Sequence, residues 1–254
     1  MAGAVDSGAI KAILCDADGC LFPSEGPAFD ASAAVTNRFL AEIGATARFS
    51  PEELRLATTG KNFRTTAAAL AREEGLSVDS TALERWVETE REQVSAHLTH
   101  NLRPDPRVID PLARLARDRI LAVVSSSAIT RVEACLAAVG LDGFFPERAR
   151  FSAESSLPQP LSKPDPAVYV LAGDRLGISS SEGLAVEDSL PGAQAAIAAG
   201  FPTFGNMMFV PAQERPARIV ALERAGVAGI VFSWSELERV LATGEPAGRQ
   251  AAGV

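Results

Sequence analysis

Histidine is almost missing from this chain: among 254 residues there are two, His97 and His100. Their spacing near a helix end could suit zinc, but no further histidine exists and no cysteine lies near, so a hinge or surface role is expected. Cysteine is scarce as well. Cys15, Cys20 and Cys135 are an odd number without CxxC spacing, which argues against both a disulfide framework and a zinc site. Cys15 and Cys135 occupy apolar positions and read as small core residues. No apolar run approaches membrane-spanning length, and the polar, Gly-rich start before Ile10 does not resemble a secretory leader. No basic patch offsets the net charge of −8, so nucleic acid is not an expected partner. There is no internal repeat. These absences lead to the expectation of a soluble, cytoplasmic protein with neither a membrane nor a nucleic-acid partner, of undetermined oligomeric state.

What is present is ordinary globular material, 47% apolar and 22% charged residues, in a chain long enough for one large α/β domain and a smaller one. One stretch stands out, Ala12-Ile13-Leu14-Cys15-Asp16-Ala17-Asp18-Gly19-Cys20-Leu21. An apolar run of strand length ends in two carboxylates one residue apart, followed by glycine. Strands of a parallel sheet buried on both faces look like this run, and ligands bind outside their carboxyl ends. Two such acids repel each other unless a cation lies between them or one holds a proton. Gly19 permits the sharp turn that brings a carbonyl and a carboxylate to one point. An Asp-rich surface turn is the plain alternative. A calcium loop fits poorly, because the glycine comes two residues early and Pro27 stands where the closing glutamate belongs.

Three later segments tip the balance toward chemistry. Val123-Val124-Ser125-Ser126-Ser127 is a hydroxyl cluster behind a second apolar strand, and Lys163-Pro164-Asp165-Pro166 holds a lysine stiffly before a helix. Leu184-Ala185-Val186-Glu187-Asp188-Ser189 is a further strand ending in acids. An aspartate motif, a serine, a lysine and an acidic pair, in this order over roughly residues 10 to 242, resemble the haloacid dehalogenase superfamily. The resemblance is greatest to the branch with a helical cap inserted after the first motif, which contains β-phosphoglucomutase and many small phosphatases.

The resemblance implies a Rossmann-like α/β fold, a doubly wound parallel sheet core with an inserted all-helical cap domain. It implies a Mg²⁺-dependent phosphatase acting on a small phosphorylated metabolite, such as a sugar phosphate, through an aspartyl-phosphate. Asp16 would be the nucleophile and Asp18 the general acid and base. Mg²⁺ would be held by the Asp16 and Asp188 carboxylates and the Asp18 carbonyl, with Glu187 bound directly or through water. Ser125, the backbone at Ser126 and Ser127, and Lys163 would bind the phosphoryl group. A serine that merely caps the next helix is compatible with this role. In the helical segment, Gly60, Lys61 and Arg64 match by position a loop that reaches the leaving group in relatives. Asp18 separates the chain from dehalogenases and phosphonate-cleaving relatives, which lack that second acid. Mutase relatives carry a histidine near the position of Ala28, which favours phosphatase over a sugar-phosphate mutase. A catalytically weak, ligand-binding relative would be expected to have lost Asp16, Lys163 or Asp188, and none is lost. Ala17 is smaller than the residue usual between the two acids.

Along the chain, residues 1–9 read as a lead-in and 10–15 as the first strand. Residues 1–22 and 104–243 are assigned to the catalytic core, 23–103 to the helical domain, and 244–254 to a disordered tail. Helices are expected over 30–43, from Pro51 after a Ser50 N-cap, over 63–74 and over 80–97. Core helices are expected over 108–117, 130–139, 166–176, 191–199 and 235–241. Strands are expected over 120–124, 148–151, 184–186, 202–204 and 229–232.

Overall fold

The computed structural model describes residues 6–58, 63–159 and 161–244. The chain divides into two compact units. Pro23–Leu102 forms one, and the segments up to Phe22 and from Arg103 onward form the other.

The described residues of the Pro23–Leu102 unit form helices and no strand. Helix α1 (Glu25–Glu42) begins five residues earlier than the periodicity suggests, because the run from Glu25 to Phe29 joins the helix without disturbing its buried face of Val35, Phe39 and Leu40. Helix α2 (Pro51–Thr58) starts as expected: the Glu53 N–H donates to Ser50 Oγ, and the Ser50 N–H donates to the Glu53 carboxylate. Helices α3 (Phe63–Glu73) and α4 (Ser80–Asn101) complete the unit. Asp79 caps α4 by accepting from the Ala82 N–H. That helix runs past the expected end at residue 97, so both histidines lie within it. The core of the unit is Phe39, Leu40, Ala67, Leu70 and Ala71, with Phe63 and Trp86 set edge-on to Phe39.

The other unit alternates strands and helices. In chain order it comprises β1 (Ala12–Cys15), α5 (Pro106–Leu115), β2 (Ile120–Ser125), α6 (Ile129–Ala138), β3 (Arg150–Ser152), α7 (Ala167–Leu176), β4 (Gly183–Glu187), α8 (Leu190–Ala198), β5 (Thr203–Asn206), α9 (Arg215–Ala225), β6 (Gly229–Val231) and α10 (Trp234–Thr243). All strand pairs are parallel, in the order β3-β2-β1-β4-β5-β6. This is the doubly wound arrangement of a Rossmann-like core. Leu14, Ala122, Val124 and Ala185 turn one face of the sheet toward α7 and α8. Alternation sends Ile13, Leu121, Val123 and Leu184 to the opposite face, and α5 packs against α10. Burial on both faces explains why β1 and β4 carry no solvent-facing residue.

Helix α9 was not expected. Of its residues only Leu222 is buried, so its apolar stripe is too thin to announce a helix. It forms because Leu222 joins Ala193, Met207, Val210 and Val227 in a small cluster. Among the described residues no helix is long and apolar enough to cross a membrane.

Candidate active site

The chain leaves β1 toward β2 and β3 on one side of the sheet and reaches β5 and β6 on the other side from β4. β1 and β4 therefore flank the point where the strand order reverses, and a crevice is expected outside their carboxyl ends. Cys15 pairs with Val186 in the ladder, so the next residues, Asp16 and Glu187, emerge side by side. The Asp16 N–H donates to the Val186 carbonyl at 2.9 Å, fixing the first residue beyond the strand.

Asp16, Glu187 and Asp188 each offer a carboxylate oxygen within 4.8 Å of the others. One cation enters this group from the protein itself. Lys163 Nζ donates to Asp16 Oδ1 at 2.6 Å, to Glu187 Oε1 at 2.6 Å and to the Val124 carbonyl at 2.7 Å. A single ammonium thus reaches the tips of three adjacent strands. Burial alone would lower its pKa, but the carboxylates of Asp16 and Glu187 and the bonds they accept hold it above the ordinary lysine value. Burial pushes Asp16 well above the usual carboxylate range; Lys163 pulls against this, while Glu187 and Asp188 push further. Asp188 is pushed up to about 7, by burial first and then by Glu187, with Arg218 and Lys163 opposing.

Three clustered carboxylates facing one ammonium leave an excess of negative charge, and Glu187 Oε2 is buried with no hydrogen-bond partner among the described residues. Both features suit a hard divalent cation with oxygen ligands. The backbone is shaped to this group. Gly19 has φ of 80°, and a Cβ there would lie 2.4 Å from Asp188 Oδ2. A Cβ at Gly192 would lie 1.9 Å from Glu187 Oε2, so both glycines are obligatory for close approach.

Asp18 is placed apart from its near twin. Its Oδ2 accepts from the Ser127 hydroxyl at 2.8 Å, and its Oδ1 lies 3.4 Å from Arg131 Nη2. Ser125 is buried and its Oγ accepts the Ser127 N–H at 3.0 Å, which leaves its hydroxyl proton free to be donated elsewhere. The Ser127 N–H is therefore engaged within the loop. Helix α6 starts at Ile129, beyond the serines, with Ala128 at N-cap. Ser126 Oγ accepts from the Lys163 N–H at 3.4 Å.

Asp16, Asp18, Ser125, Ser126, Lys163, Glu187 and Asp188 are thus linked within one unit. Gly60 and Lys61 lie outside the described residues, and Arg64 pairs with Glu84 of α4. His97 and His100 face no metal cluster among the described residues.

Three contributors escaped the sequence reading. The Tyr169 hydroxyl donates to Glu187 Oε1 at 2.6 Å, and Lys163 Nζ lies 5.3 Å from the centre of its ring. Tyr169 is the only tyrosine of the chain and is fully buried. A polar aromatic on an apolar helix face signals a buried acceptor, though not which one. Arg218, on the unexpected α9, donates to the Asp188 carbonyl at 3.0 Å. Arg131 stands beside Asp18 with no spacing rule to announce it.

A family model described as haloacid dehalogenase-like hydrolase matches residues 10–200. No curated protein matches the sequence. Among solved structures, a haloacid dehalogenase family hydrolase from Deinococcus radiodurans R1, with bound phosphate and sodium, is 28% identical with a TM-score of 0.68, covering 95% of this chain and 97% of its own. CbbY from Rhodobacter sphaeroides, a point variant in complex with xylulose-1,5-bisphosphate, is 26% identical with a TM-score of 0.67, covering 90% of this chain and 96% of its own. A predicted phosphoglycolate phosphatase from Haemophilus somnus has a TM-score of 0.72 at 22% identity, covering 91% and 98%, and speaks for the fold alone. With its motifs at the tips of β1, β2 and β4 and the family match spanning most of its length, the chain belongs to the haloacid dehalogenase-like hydrolases.

Proposed function

We propose that the protein is a Mg²⁺-dependent phosphatase of small phosphorylated metabolites, sugar phosphates foremost, that works through an aspartyl-phosphate on Asp16. The carrying observation is the separation of the two aspartates. Asp16 is buried, held by Lys163 and grouped with Glu187 and Asp188, whereas Asp18 is half-exposed and held by other residues. A nucleophile needs the first setting and an acid–base group that meets a leaving group needs the second. The phosphate and the bisphosphorylated sugar bound to the Deinococcus and Rhodobacter proteins support a phosphorylated ligand. Ala28 on α1, near the place where mutase relatives carry a histidine, favours water as the acceptor.

In this reading an Asp16 oxygen attacks phosphorus and the bond to the leaving oxygen breaks. Asp18 delivers its proton to that oxygen, then takes one from the water that hydrolyses the acyl-phosphate. Lys163 keeps Asp16 in line and neutralises phosphoryl charge, and the Ser125 hydroxyl donates to a phosphoryl oxygen. Mg²⁺ would be held by Asp16, Asp188 and the Asp18 carbonyl, with Glu187 bound to it directly or through water. When bound it offsets the charge shared by nucleophile and phosphoryl group.

A panel of phosphorylated metabolites, assayed for orthophosphate release, tests this reading. Release should require Mg²⁺, stop on chelation and return with Mg²⁺ but not with Ca²⁺, whose larger and looser shell spoils in-line geometry. Undiminished release after exhaustive chelation would rule out the metal, and no release from any ester would rule out the activity.

A second expectation concerns pH. Without metal, Asp188, raised to about 7, keeps a proton that the unfolded chain has lost above about pH 4. The folded state then binds more protons than the unfolded state across that window, so this group's contribution to stability falls as pH rises through it. Mg²⁺ selects the ionised form. The rise in Tm caused by saturating Mg²⁺, measured by calorimetry without substrate, should therefore be small near pH 5.5 and larger near pH 7.5. An equal rise at both would show that the carboxylates do not release protons to the metal.

A further inference from the structure

The phosphatase reading gives Asp18 a task that its own position on the chain cannot guarantee. Asp18 sits on the turn after β1, where an isolated bridge to Phe22 pairs its backbone. Its side chain is 32% exposed and is not oriented by the strand ladder. A carboxylate on such a turn has several staggered rotamers open to it. Proton transfer tolerates little of this freedom, since a displacement of about 1 Å costs on the order of 10²-fold in rate.

Two restraints come from the segment that follows β2, the strand paired with β1. Ser127 donates its hydroxyl to Asp18 Oδ2 at 2.8 Å, and Arg131 Nη2 approaches Oδ1 at 3.4 Å. Because the two donors take different oxygens, they fix the plane of the carboxylate as well as its direction. Ser127 is itself held at both ends. Its N–H donates to Ser125 Oγ at 3.0 Å and its carbonyl accepts from Ser152 Oγ at 2.8 Å. Arg131 lies in the first turn of α6, four residues beyond Ser127, so both anchors move as one piece with the end of β2.

Arg131 is a poor choice if stability were its purpose. Its Nε is buried and has no partner among the described residues. A buried donor left bare costs stability, and a half-exposed ion pair at 3.4 Å returns little. Among the described residues its one ion pair is with Asp18. We propose that Arg131 is a positioning residue for the general acid: with the Ser127 hydroxyl it holds the Asp18 carboxylate in the orientation from which the proton reaches the leaving oxygen. The inference rests on the phosphatase reading, with Asp18 as acid.

The test is the single-turnover rate of leaving-group release from an alkyl phosphate and from p-nitrophenyl phosphate, with Mg²⁺ present. The aryl leaving group needs little protonation, so it reports everything except the acid. Arg131→Ala should slow alkyl release by about 10- to 10²-fold and aryl release by less than about 3-fold, with KM and the apparent Mg²⁺ affinity nearly unchanged. Arg131→Lys, which keeps a donor and a charge, should recover part of the loss. The double variant Arg131→Ala/Asp18→Asn should be no slower than Asp18→Asn alone, because nothing remains to be oriented. Equal slowing of both esters, or full additivity in the double variant, overturns the inference. Where Arg131→Ala does not fold, Ser127→Ala removes the other anchor and carries the same expectation, and its failure to separate the esters overturns the inference in the same way. The control is Asp18→Asn. If it fails to separate alkyl from aryl esters, Asp18 is not the acid and the underlying reading falls. If it separates them and Arg131→Ala does not, the role of Arg131 alone is wrong.

Discussion

Asp16→Asn is expected to abolish turnover on every ester while leaving the protein as stable as before or more so. The amide cannot attack phosphorus, and it removes one of the three clustered carboxylates. Stability follows the opposite logic. Asp16 is buried and pushed well above the usual carboxylate range, which means that its charge is unfavourable in the metal-free fold. A neutral isostere relieves that cost, and Lys163 keeps both Glu187 Oε1 and the Val124 carbonyl as acceptors. Activity lost together with a lowered Tm would point to a structural role for Asp16 instead. Asp18→Asn should behave differently. Its backbone carbonyl is untouched, so Mg²⁺ binding measured by calorimetry should be nearly intact. Hydrolysis of alkyl esters should fall by about 10²- to 10⁴-fold, the usual reach of general acid–base catalysis. Aryl esters should suffer less in the first step and show a burst as the acyl-phosphate accumulates. Loss of metal as complete as in Asp16→Asn would defeat this division of labour.

The second large effect is expected from Lys163→Met. The lysine side chain is 5% exposed and bonds two carboxylates that are themselves almost wholly buried. Removing one partner from such a cluster leaves uncompensated charge and costs about 3–5 kcal/mol. That is a large part of the roughly 5–15 kcal/mol typical of a folded domain. The same substitution removes the cation that aligns Asp16, so turnover should drop by at least about 10²-fold even where the protein is folded. The loss of stability should depend on pH in a definite sense. Without the ammonium that now pulls against burial, Asp16 retains its proton more strongly in the fold than in the unfolded chain. The deficit is therefore least in acid and grows as pH rises through the raised carboxylate range. Urea midpoints of wild type and variant at about pH 5.5 and about pH 8, without metal, measure this. Equal midpoints at both would mean that Lys163 is not the counter-charge of the cluster.

Much of the candidate site could be read along the chain because each residue marks the end of a strand. A strand buried on both faces must be apolar throughout, so the first acids after Cys15 and after Val186 necessarily lie at the carboxyl edge of the sheet. Local signals served equally well where their physics is local. Ser50 and Glu53 satisfy each other's N–H groups, and Gly19 takes the positive φ that its turn requires. They failed where an element is held by its neighbours instead of its own pattern. α9 buries little besides Leu222, and α1 extends through Pro27 because proline is tolerated in a first turn.

By itself, then, the sequence determined the alternation of strands and helices, the identity of the residues at the strand tips and the order of the motifs, since all of these follow from periodicity and chain position. Only the tertiary structure decided which strands are neighbours, and with that which charges share a site. Lys163 meets Asp16 across 147 positions, Arg131 meets Asp18 across 113, and Tyr169 reaches Glu187 from the adjacent helix. No spacing encodes such meetings, because they depend on the order β3-β2-β1-β4-β5-β6 and on side chains converging at one edge of a closed core. The two aspartates, alike in the sequence, become unlike in the fold because one is buried against a lysine and the other is held at the surface by a serine and an arginine.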